Sequence, residues 1–369
     1  MIIFIRAYSI SKDSRLLKYI SICNDNCLDY KVIGWDKDCS EESSSECTYY
    51  RGNFGIGKKW KNILAILKWW FYILRVVIHE NKNSKVKVIH SVDLDCGIIA
   101  LLISKLVKAK HIYDIYDVYS ANRNMRGVVK SVVNVIERFI CRNSTYFIMP
   151  EIFRFEQLQL NSTDSRYKNF VEIENVPDIK EIKESISYAD NCFHLVYAGS
   201  LEPKHRGIEN LLQAVSVSSN IVLDIAGIGP LTDMCINYSQ KFDNIHFHGG
   251  VSPQQVYELE AKSQIIVGMY YRTRDNHQYA SPNKYYEHLA LGKVMLTTSG
   301  TPPGFKVEKN KTGFAIGEST QDILNLFNSL EYNIPLLEQY SLNAHIIWSQ
   351  NYSDYNEKYL TKQYIKMVG

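Results

Sequence analysis

The sequence has few features of a metal-binding or exported protein. Its eight cysteines are scattered, and the closest pair, Cys23 and Cys27, has no second pair or histidine nearby at metal-ligand spacing. Scattered cysteines in a chain of 369 residues are typical of a reducing compartment and not of a disulfide framework. We therefore expect a cytoplasmic protein without a metal site.

The apolar run at residues 1–6 lacks the parts of a secretory leader. It has no basic start, no long apolar core and no small-residue cleavage site. A buried first strand is the better interpretation, and export is not expected. The chain also contains no internal repeat and no low-complexity tract, which argues against a repeat array or a fibrous protein.

Acidic residues are scarce between residues 51 and 150. This stretch has 17 Lys and Arg against 6 Asp and Glu, whereas residues 181–369 carry a small acidic excess. A basic region is typical of a protein that meets a polyanion or a membrane surface, but a solvated basic face gives the same composition. Both interpretations stay open.

Residues 58–79 form an aromatic stretch in which Lys61, Lys68 and Arg75 recur every seven residues. Recurring charges make a membrane-spanning helix a poor interpretation. A core helix whose long basic side chains reach solvent fits the pattern. A helix whose edge touches the inner face of the membrane fits it as well.

Strand-length apolar runs alternate with helical patterns along the whole chain. We predict strands at 2–6, 30–34, 87–90, 111–115, 145–149, 193–198, 220–226, 244–248, 264–268, 294–298 and 313–316, and helices at 12–22, 59–79, 95–108, 126–142, 152–160, 207–217, 230–241, 253–262, 282–291 and 320–329. This alternation predicts an α/β fold class with two Rossmann-like, doubly wound domains. Residues 174–178, followed by the charged residues 180–190, are the best candidate linker.

Three loops in the second half have the features of an anion or nucleotide site. Gly199 and Arg206 lie in a loop between a predicted strand and a helix, where an arginine can bind a diphosphate through two nitrogens. Gly227 and Gly229 follow the next strand, but the third glycine of a dinucleotide fingerprint is missing. These features favour a phosphate-bearing ligand that is not a nicotinamide dinucleotide.

The third loop leads into a helix that ends with a glycine and a buried strand. Ser281 is predicted to cap this helix, with Pro282 at its first position. A helix N-terminus offers free N–H groups to an anion, and Lys284 stands close to it. Glu287 lies on the same face and can accept hydrogen bonds from both hydroxyls of a ribose.

Together these elements resemble the retaining glycosyltransferases of the family 4 type, which have the GT-B fold. The resemblance covers most of the chain and is strongest over residues 193–317. It implies two Rossmann-like domains that face each other across a cleft: an acceptor domain at 1–178 and a donor domain at 179–339. The C-terminal run at 340–369 resembles the family's helix that packs back on the first domain.

The resemblance also implies a site for a UDP- or GDP-linked sugar donor, with no metal and no cofactor. The implied donor-binding residues are Gly199, Ser200, Arg206, Gly227, Gly229, Gly249, Val251, Ser281, Pro282, Asn283, Lys284 and Glu287. Arg206, Lys284, Glu287 and Asp117 are the candidate catalytic residues, and Arg15, Tyr116 and Asp117 are those on the acceptor side. Similar enzymes build surface polysaccharides such as O-antigen or capsule on glycan or lipid-diphosphate-linked acceptors. A nucleic acid is not an expected partner.

Two positions depart from the family pattern. The paired acids of the family stand eight residues apart, but Tyr279 stands eight residues before Glu287. Ser200 replaces the usual arginine after Gly199. The segment from Pro282 to Glu287 resembles a subgroup that keeps only the second acid, and there Lys284 is expected to take over part of the phosphate binding.

Three other functions stay open from the residues alone. A sugar-nucleotide epimerase on the same fold would need several acid and base residues in the cleft, and the sequence has no clear His–Asp–Glu set near the donor residues. A nicotinamide-dependent oxidoreductase would rest on Gly227 and Gly229 alone. A non-catalytic membrane-associated binding protein would use the basic, aromatic first half.

Overall fold

The structure is a computed structural model that describes residues 1–52, 59–161, 163–179, 192–330 and 333–369. The chain divides into two compact units. Unit 1 consists of Met1–Glu174 and Glu357–Gly369, and unit 2 of Asn175–Asn356. The charged residues 180–190, which form the second part of the predicted linker, and the side chain of Lys61 lie outside the described residues.

In its described residues, unit 1 is built on a seven-stranded sheet with the order β3-β2-β1-β4-β5-β6-β7. Neighbouring strands are parallel throughout. The strands are β1 (Ile2–Arg6), β2 (Tyr30–Asp36), β3 (Cys47–Arg51), β4 (Val88–Val92), β5 (Lys110–Asp114), β6 (Tyr146–Met149) and β7 (Phe170–Glu172). The direction of winding reverses between β1 and β4, so the crevice at their carboxyl ends is the switch point where such sheets bind ligands.

Helices cover this sheet: α1 (Ser14–Asp25), α2 (Lys59–Asn83), α3 (Leu94–Val107), α4 (Tyr119–Asn122), α5 (Gly127–Asn143) and α6 (Arg154–Gln157). Asp13 is the N-cap of helix α1, and its carboxylate accepts a hydrogen bond of 2.9 Å from the backbone N–H of Leu16. Helix α2 packs on the sheet through the fully buried Trp69, Ile73 and Val77. These three residues are four apart, so one stripe of the helix faces the core.

In its described residues, unit 2 repeats the same architecture with six strands in the order β10-β9-β8-β11-β12-β13. Its strands are β8 (Phe193–Ala198), β9 (Ile221–Ala226), β10 (Ile245–Gly249), β11 (Ile265–Gly268), β12 (Val294–Thr298) and β13 (Gly313–Ile316). Its helices are α7 (Ile208–Val215), α8 (Thr232–Lys241), α9 (Pro253–Lys262), α10 (Asn283–Ala290), α11 (Pro302–Asn310), α12 (Thr320–Leu330) and α13 (Ile334–Asn351). The switch point of unit 2 lies between β8 and β11.

The prediction of one helix over residues 340–369 is wrong. Helix α13 ends at Asn351, where the N–H groups of Tyr352 and Ser353 both bond to the carbonyl of Trp348. A π-helical segment, Tyr355–Leu360, and a separate helix, α14 (Thr361–Val368), follow. Helix α14 belongs to unit 1, where the buried Tyr364 bonds to the imidazole of His90 at 3.1 Å.

The predicted α/β fold class with two Rossmann-like sheets is confirmed. Each predicted strand overlaps an observed one, but the edge strands β3 and β7 are absent from the prediction. The helix predicted at 152–160 is reduced to α6, and helix α11 was not predicted. These differences lie at the sheet edges and in connections, where no long apolar run marks the element.

Candidate active site

A cavity of about 250 Å³ opens at the switch point of unit 2, outside the carboxyl ends of β8 and β11. Its walls are formed by Tyr197, Ala198, Gly199, Ser200, Arg206, Val256, Gly268, Met269, Tyr270, Pro282, Asn283, Lys284 and Glu287. The structure thus brings most of the sequence-predicted donor residues to one place. Arg206, Lys284 and Glu287 share this cavity although they come from separate segments of the chain.

The loop after β8 supplies one wall of the cavity. The N–H of Gly199 donates to the carbonyl of Ala226 at 2.9 Å, and the hydroxyl of Tyr197 donates to the carbonyl of Ser200 at 2.7 Å. These bonds hold the backbone of Gly199 and Ser200 at the strand end, so that it faces the cavity.

Gly227 and Gly229 lie behind this loop and are not part of the cavity wall. Gly227 has a φ of +149°, and a β-carbon there would stand 1.9 Å from the carbonyl oxygen of Gly199. A β-carbon at Gly229 would stand 2.7 Å from the carbonyl oxygen of Leu201. In the structure these glycines let two turns pack closely together, and they support the wall without forming it.

Gly249 and Val251 also lie outside the wall. Gly249 has a φ of +69°, its carbonyl accepts a bond of 2.7 Å from the N–H of Gly227, and a β-carbon there would meet no atom within 4 Å. The neighbouring Ile228 is 71% exposed. The two predicted residues therefore border an open surface beside the turn after β9.

Arg206 reaches the cavity from the loop before α7. Its guanidinium carbon lies 5.3 Å from the centre of the Tyr270 ring, close enough for a cation–π contact. Its Nε atom is buried and has no hydrogen-bond partner within the described part of the chain. Buried donors are nearly always paired in folded proteins, so this N–H is suited to an acceptor on a ligand.

Lys284 lies between two carboxylates. Its Nζ atom is 2.8 Å from Oε1 of Glu260 and 3.8 Å from Oε2 of Glu287. Glu260 is fully buried on α9, and its Oε2 atom has no partner among the described residues. Burial by itself would lower the pKa of Lys284, but the charges of Glu260 and Glu287 outweigh burial and raise it above its ordinary value.

Glu287 responds to the same surroundings in the opposite way. Burial, together with the negative charge of Glu260, raises the pKa of Glu287 to about 7, although Lys284 acts to lower it. A carboxylate with a pKa near neutrality changes its charge within the physiological range. Such groups are concentrated at functional sites.

Helix α10, which carries Lys284 and Glu287, begins one residue later than predicted. Its first residue is Asn283, so Pro282, and not Ser281, occupies the N-cap position. Proline lacks a side-chain acceptor, and no side-chain cap bond is made at this position. Ser281 precedes the cap, and its carbonyl accepts a bond of 2.9 Å from the side chain of Asn175.

Behind Tyr270 lies a buried imidazole that sequence reasoning missed. His277 contacts the Tyr270 ring edge-on, with ring centres 5.8 Å apart, and its Nδ1 atom is buried without a partner in the described residues. Burial, with help from Arg206 and Arg274, lowers the pKa of His277 to about 3. The imidazole is therefore neutral near pH 7 and adds no charge to this wall.

Glu260 and Tyr270 are the main site residues that the sequence did not indicate. Tyr270 follows β11 at the switch point, so the strand order, once known, would have indicated it. The only sequence signal for Glu260 is its position four residues after Val256, which places both residues on the same face of α9. Its partnership with Lys284 depends on the packing of two helices that are distant in sequence.

The switch point of unit 1 holds a second charged cluster. Arg6, at the end of β1, binds Asp13 at 2.7 Å and Asp93, which follows β4, at 2.5 Å. The guanidinium of Arg6 lies 4.5 Å from the centre of the Tyr116 ring. The hydroxyl of Tyr116 donates to Asp13 at 3.1 Å.

The two other predicted acceptor-side residues are paired within unit 1. Arg15 is buried and donates two hydrogen bonds to Asp114, of 3.1 and 3.0 Å, and a third to the carbonyl of Ile173. Asp117 pairs with the buried Arg154 at 3.1 Å, but its side chain remains 33% exposed. Of the two, Asp117 is therefore the one that a ligand can reach.

The comparisons with known proteins agree with this geometry. Residues 192–330, which include all of the cavity-lining residues, match the model of the family described as "Glycosyl transferases group 1". No curated protein sequence matches the chain. Unit 2 thus carries a glycosyltransferase domain, and the chain is a transferase enzyme.

Solved structures of low sequence identity share the whole fold. Sucrose-phosphate synthase from Thermosynechococcus elongatus aligns with a TM-score of 0.77 at 11% identity, covering 100% of this chain and 99% of that one. HepE of Anabaena, in complex with UDP, aligns at 0.70 and 14% identity, covering 100% and 99%. WaaG, a glycosyltransferase involved in lipopolysaccharide biosynthesis, aligns at 0.66 and 12% identity, covering 98% and 99%. The chain therefore has the GT-B fold.

Proposed function

We propose that this enzyme transfers a sugar from a UDP- or GDP-linked donor to a glycan or lipid-diphosphate-linked acceptor, with retention of configuration. The observation that carries the proposal is the unpartnered, buried Nε atom of Arg206 in the same cavity as Lys284 and Glu287. Two positive side chains, one carboxylate and the start of a helix converge at a Rossmann switch point. UDP in the HepE structure supports a nucleotide donor.

The two cations act on the leaving group. When the bond between the sugar and the diphosphate breaks, negative charge grows on the diphosphate oxygens. Arg206 and Lys284, with the free N–H groups at the start of α10, stabilise that charge without reorganising. Loss of one such contact typically slows catalysis by about 100- to 1,000-fold.

Glu287 has a positioning role in this proposal. As an ionised carboxylate it accepts hydrogen bonds from the two ribose hydroxyls, and so sets the position of the donor in the cavity. The cavity volume of about 250 Å³ is slightly below the usual range for small-ligand sites. We therefore assign the base to the open surface beside Ile228, Gly249 and Val251, outside the cavity.

The acceptor is assigned to the switch point of unit 1. Asp117 is the half-exposed carboxylate there that can contact an acceptor hydroxyl, and Tyr116 lines the same cluster. WaaG is involved in lipopolysaccharide biosynthesis, and its similarity supports a role in surface polysaccharide synthesis, such as that of O-antigen or capsule. In that role the enzyme would work in the cytoplasm at the inner face of the membrane.

A thermal-shift panel of UDP, GDP and their sugars tests the donor site. A saturating diphosphate raises the melting temperature, since ligand at about 100 times its Kd adds about 2.7 kcal/mol. Arg206→Gln should abolish most of the shift, whereas Lys204→Gln, an exposed cation in the same loop, should not. The proposal is wrong if no nucleotide stabilises the protein, or if both variants behave alike.

Product analysis separates the proposal from its rivals. A transferase releases nucleoside diphosphate in proportion to the acceptor glycosylated, whereas an epimerase returns an altered nucleotide sugar. The oxidoreductase interpretation loses support because Gly227 and Gly229 pack on backbone carbonyls of the same unit. Titration with reduced nicotinamide cofactor should give no binding.

A further inference from the structure

We propose that the outer surface of α2, α3 and α5 in unit 1 docks on an anionic lipid bilayer. This surface, called here the three-helix face, exposes large apolar side chains on adjacent helices: Ile63, Leu64, Leu67, Phe71, Leu102, Leu106, Val128, Val129, Val132, Val135 and Phe139. Single exposed apolar residues are ordinary, but a contiguous group of this kind marks an interaction surface.

The three helices lie side by side. Helix α3 packs against both α2 and α5, so the outer sides of the helices form one continuous surface. Helix α2 has two apolar stripes: Trp69 and Ile73 face the core, and Leu67 and Phe71 face outward. Residues two apart lie about 200° apart around a helix, so the two stripes are on opposite sides.

Helix α5 has the same construction. Val128, Val132, Val135 and Phe139 recur at intervals of three and four residues, which places them on one outward stripe with exposures of 51–79%. The other side of the helix belongs to the core and includes the buried Cys141, which lies about 200° around the helix from Phe139. A helix that only covered a sheet would not need its second apolar stripe.

The charged residues around the three-helix face indicate which kind of partner it binds. Within the described parts of the three helices the exposed charged residues are all basic, and each of the three acids is buried or half-buried and paired: Glu80 with Lys31, Asp95 with Arg123, and Glu137 with Tyr113. The exposed cations in these parts are Lys68, Arg75 and Lys82 on α2, Lys105 on α3 and Arg142 on α5. An apolar surface with a basic rim suits an anionic bilayer, whereas two copies of it would repel each other.

A groove continues this surface at the side of α2. It has a volume of about 680 Å³, and its walls include Thr48, Phe71, Tyr72 and Leu74. The segment Asn62–Asn83 is also apolar and long enough to span a membrane by composition and length. Because Trp69 and Ile73 are committed to the core of unit 1, we infer that this helix lies in the bilayer interface and does not cross it.

Co-sedimentation with vesicles tests the docking surface. The wild-type chain should bind vesicles of equimolar phosphatidylcholine and phosphatidylglycerol, bind pure phosphatidylcholine weakly, and be partly released by salt. The triple variant Val132→Gln, Val135→Gln, Phe139→Gln should lose about tenfold or more in partitioning. The matched control Val217→Gln, Leu342→Gln removes exposed apolar residues from unit 2 and should bind as the wild type.

Other outcomes would overturn the inference. Equal partitioning of the triple variant and the wild type would show that the face does not contact lipid. A concentration-dependent dimer that the same substitutions dissolve, without vesicle binding, would assign the face to a second copy of the chain. Nucleotide thermal shifts measured without vesicles report on unit 2 alone, so failure of the docking surface and failure of the proposed transfer are distinguishable.

Discussion

Glu260 pairs with Lys284 at the wall of the cavity in unit 2. The sequence indicates Lys284 as a phosphate ligand, but in the structure its ammonium is already 2.8 Å from a buried carboxylate. A buried lysine without a partner would tend to lose its charge, and the carboxylate prevents this by raising its pKa. Glu260 thus keeps a cation at the cavity wall before any ligand arrives.

Donor affinity should rise with pH around neutrality. The pKa of Glu287 is raised to about 7, so its carboxyl is protonated and unsuited to bind two ribose hydroxyls in acid. We expect the Kd of the nucleoside diphosphate, measured by calorimetry from pH 5.5 to 8.5, to fall as pH rises through about 7. Glu287→Gln should bind weakly with no such transition, and a flat profile for the wild type would contradict the proposed role.

The same shift has a consequence for stability. A carboxyl whose pKa is higher in the folded chain than in the unfolded chain stabilises the fold when protonated. Its contribution is therefore fully present below the ordinary glutamate pKa and is lost as pH rises through about 7. Without ligand, the melting temperature of the wild type should fall relative to that of Glu287→Gln across this range.

Glu260→Gln should move the pH transition to lower values. Removing the charge of Glu260 takes away one cause of the raised pKa of Glu287 and leaves Lys284 free to pair with it. Calorimetry across the pH range should show the midpoint shifted to more acidic pH, an effect that a purely structural role would not produce. Glu258→Gln, at an exposed position on the same helix, is the matched control and should leave the midpoint in place.

The turn after β9 is built around a contact that only glycine allows. A β-carbon at Gly227 would overlap the carbonyl oxygen of Gly199, so Gly227→Ala must displace the loop that forms a cavity wall. We expect a loss of about 1–3 kcal/mol of stability and a marked rise in donor Kd. Melting curves with and without diphosphate measure both effects.

Gly249→Ala separates displacement of the loop from backbone strain. Gly249 has a left-handed φ of +69° but open space around a β-carbon, so alanine there meets conformational strain alone, about 1–2 kcal/mol. Its donor affinity should change less than that of Gly227→Ala. Equal losses of affinity in the two variants would show that the contact with Gly199 does not matter for the site.

The elements that the sequence predicted share a buried apolar run, and those that it missed do not. Strand β3, with Thr48 and Tyr50, is a half-exposed edge strand, and β7 has three residues. Periodicity also located α2 and α5 through their core stripes. It did not show that their outward stripes lie on one surface, because α2, α3 and α5 come together only in the tertiary structure.

Both units have the strand order of a Rossmann sheet, and each holds charged residues at its switch point. Arg206, Lys284 and Glu287 could be predicted because each stands in a local motif, a strand–loop–helix or a helix start. The sequence could not predict the roles of Tyr270 and Glu260, or the cluster of Arg6 with Asp93. Their segments are brought together by the strand order of the sheets, which no local sequence pattern indicates.

Two ligands should act on the chain in two separate places. Nucleoside diphosphate, bound in the cavity of unit 2, should slow amide hydrogen exchange at 199–206, 268–270 and 282–287, because it orders the loops that line the site. Anionic vesicles should instead protect α2, α3 and α5, and salt should weaken that protection, since it rests on a rim of exposed cations. Hydrogen exchange of the intact chain, read by mass spectrometry with each ligand in turn, measures both patterns. Protection of the three-helix face by the diphosphate, or of the cavity loops by vesicles alone, would contradict the assignment of donor binding and membrane docking to different units.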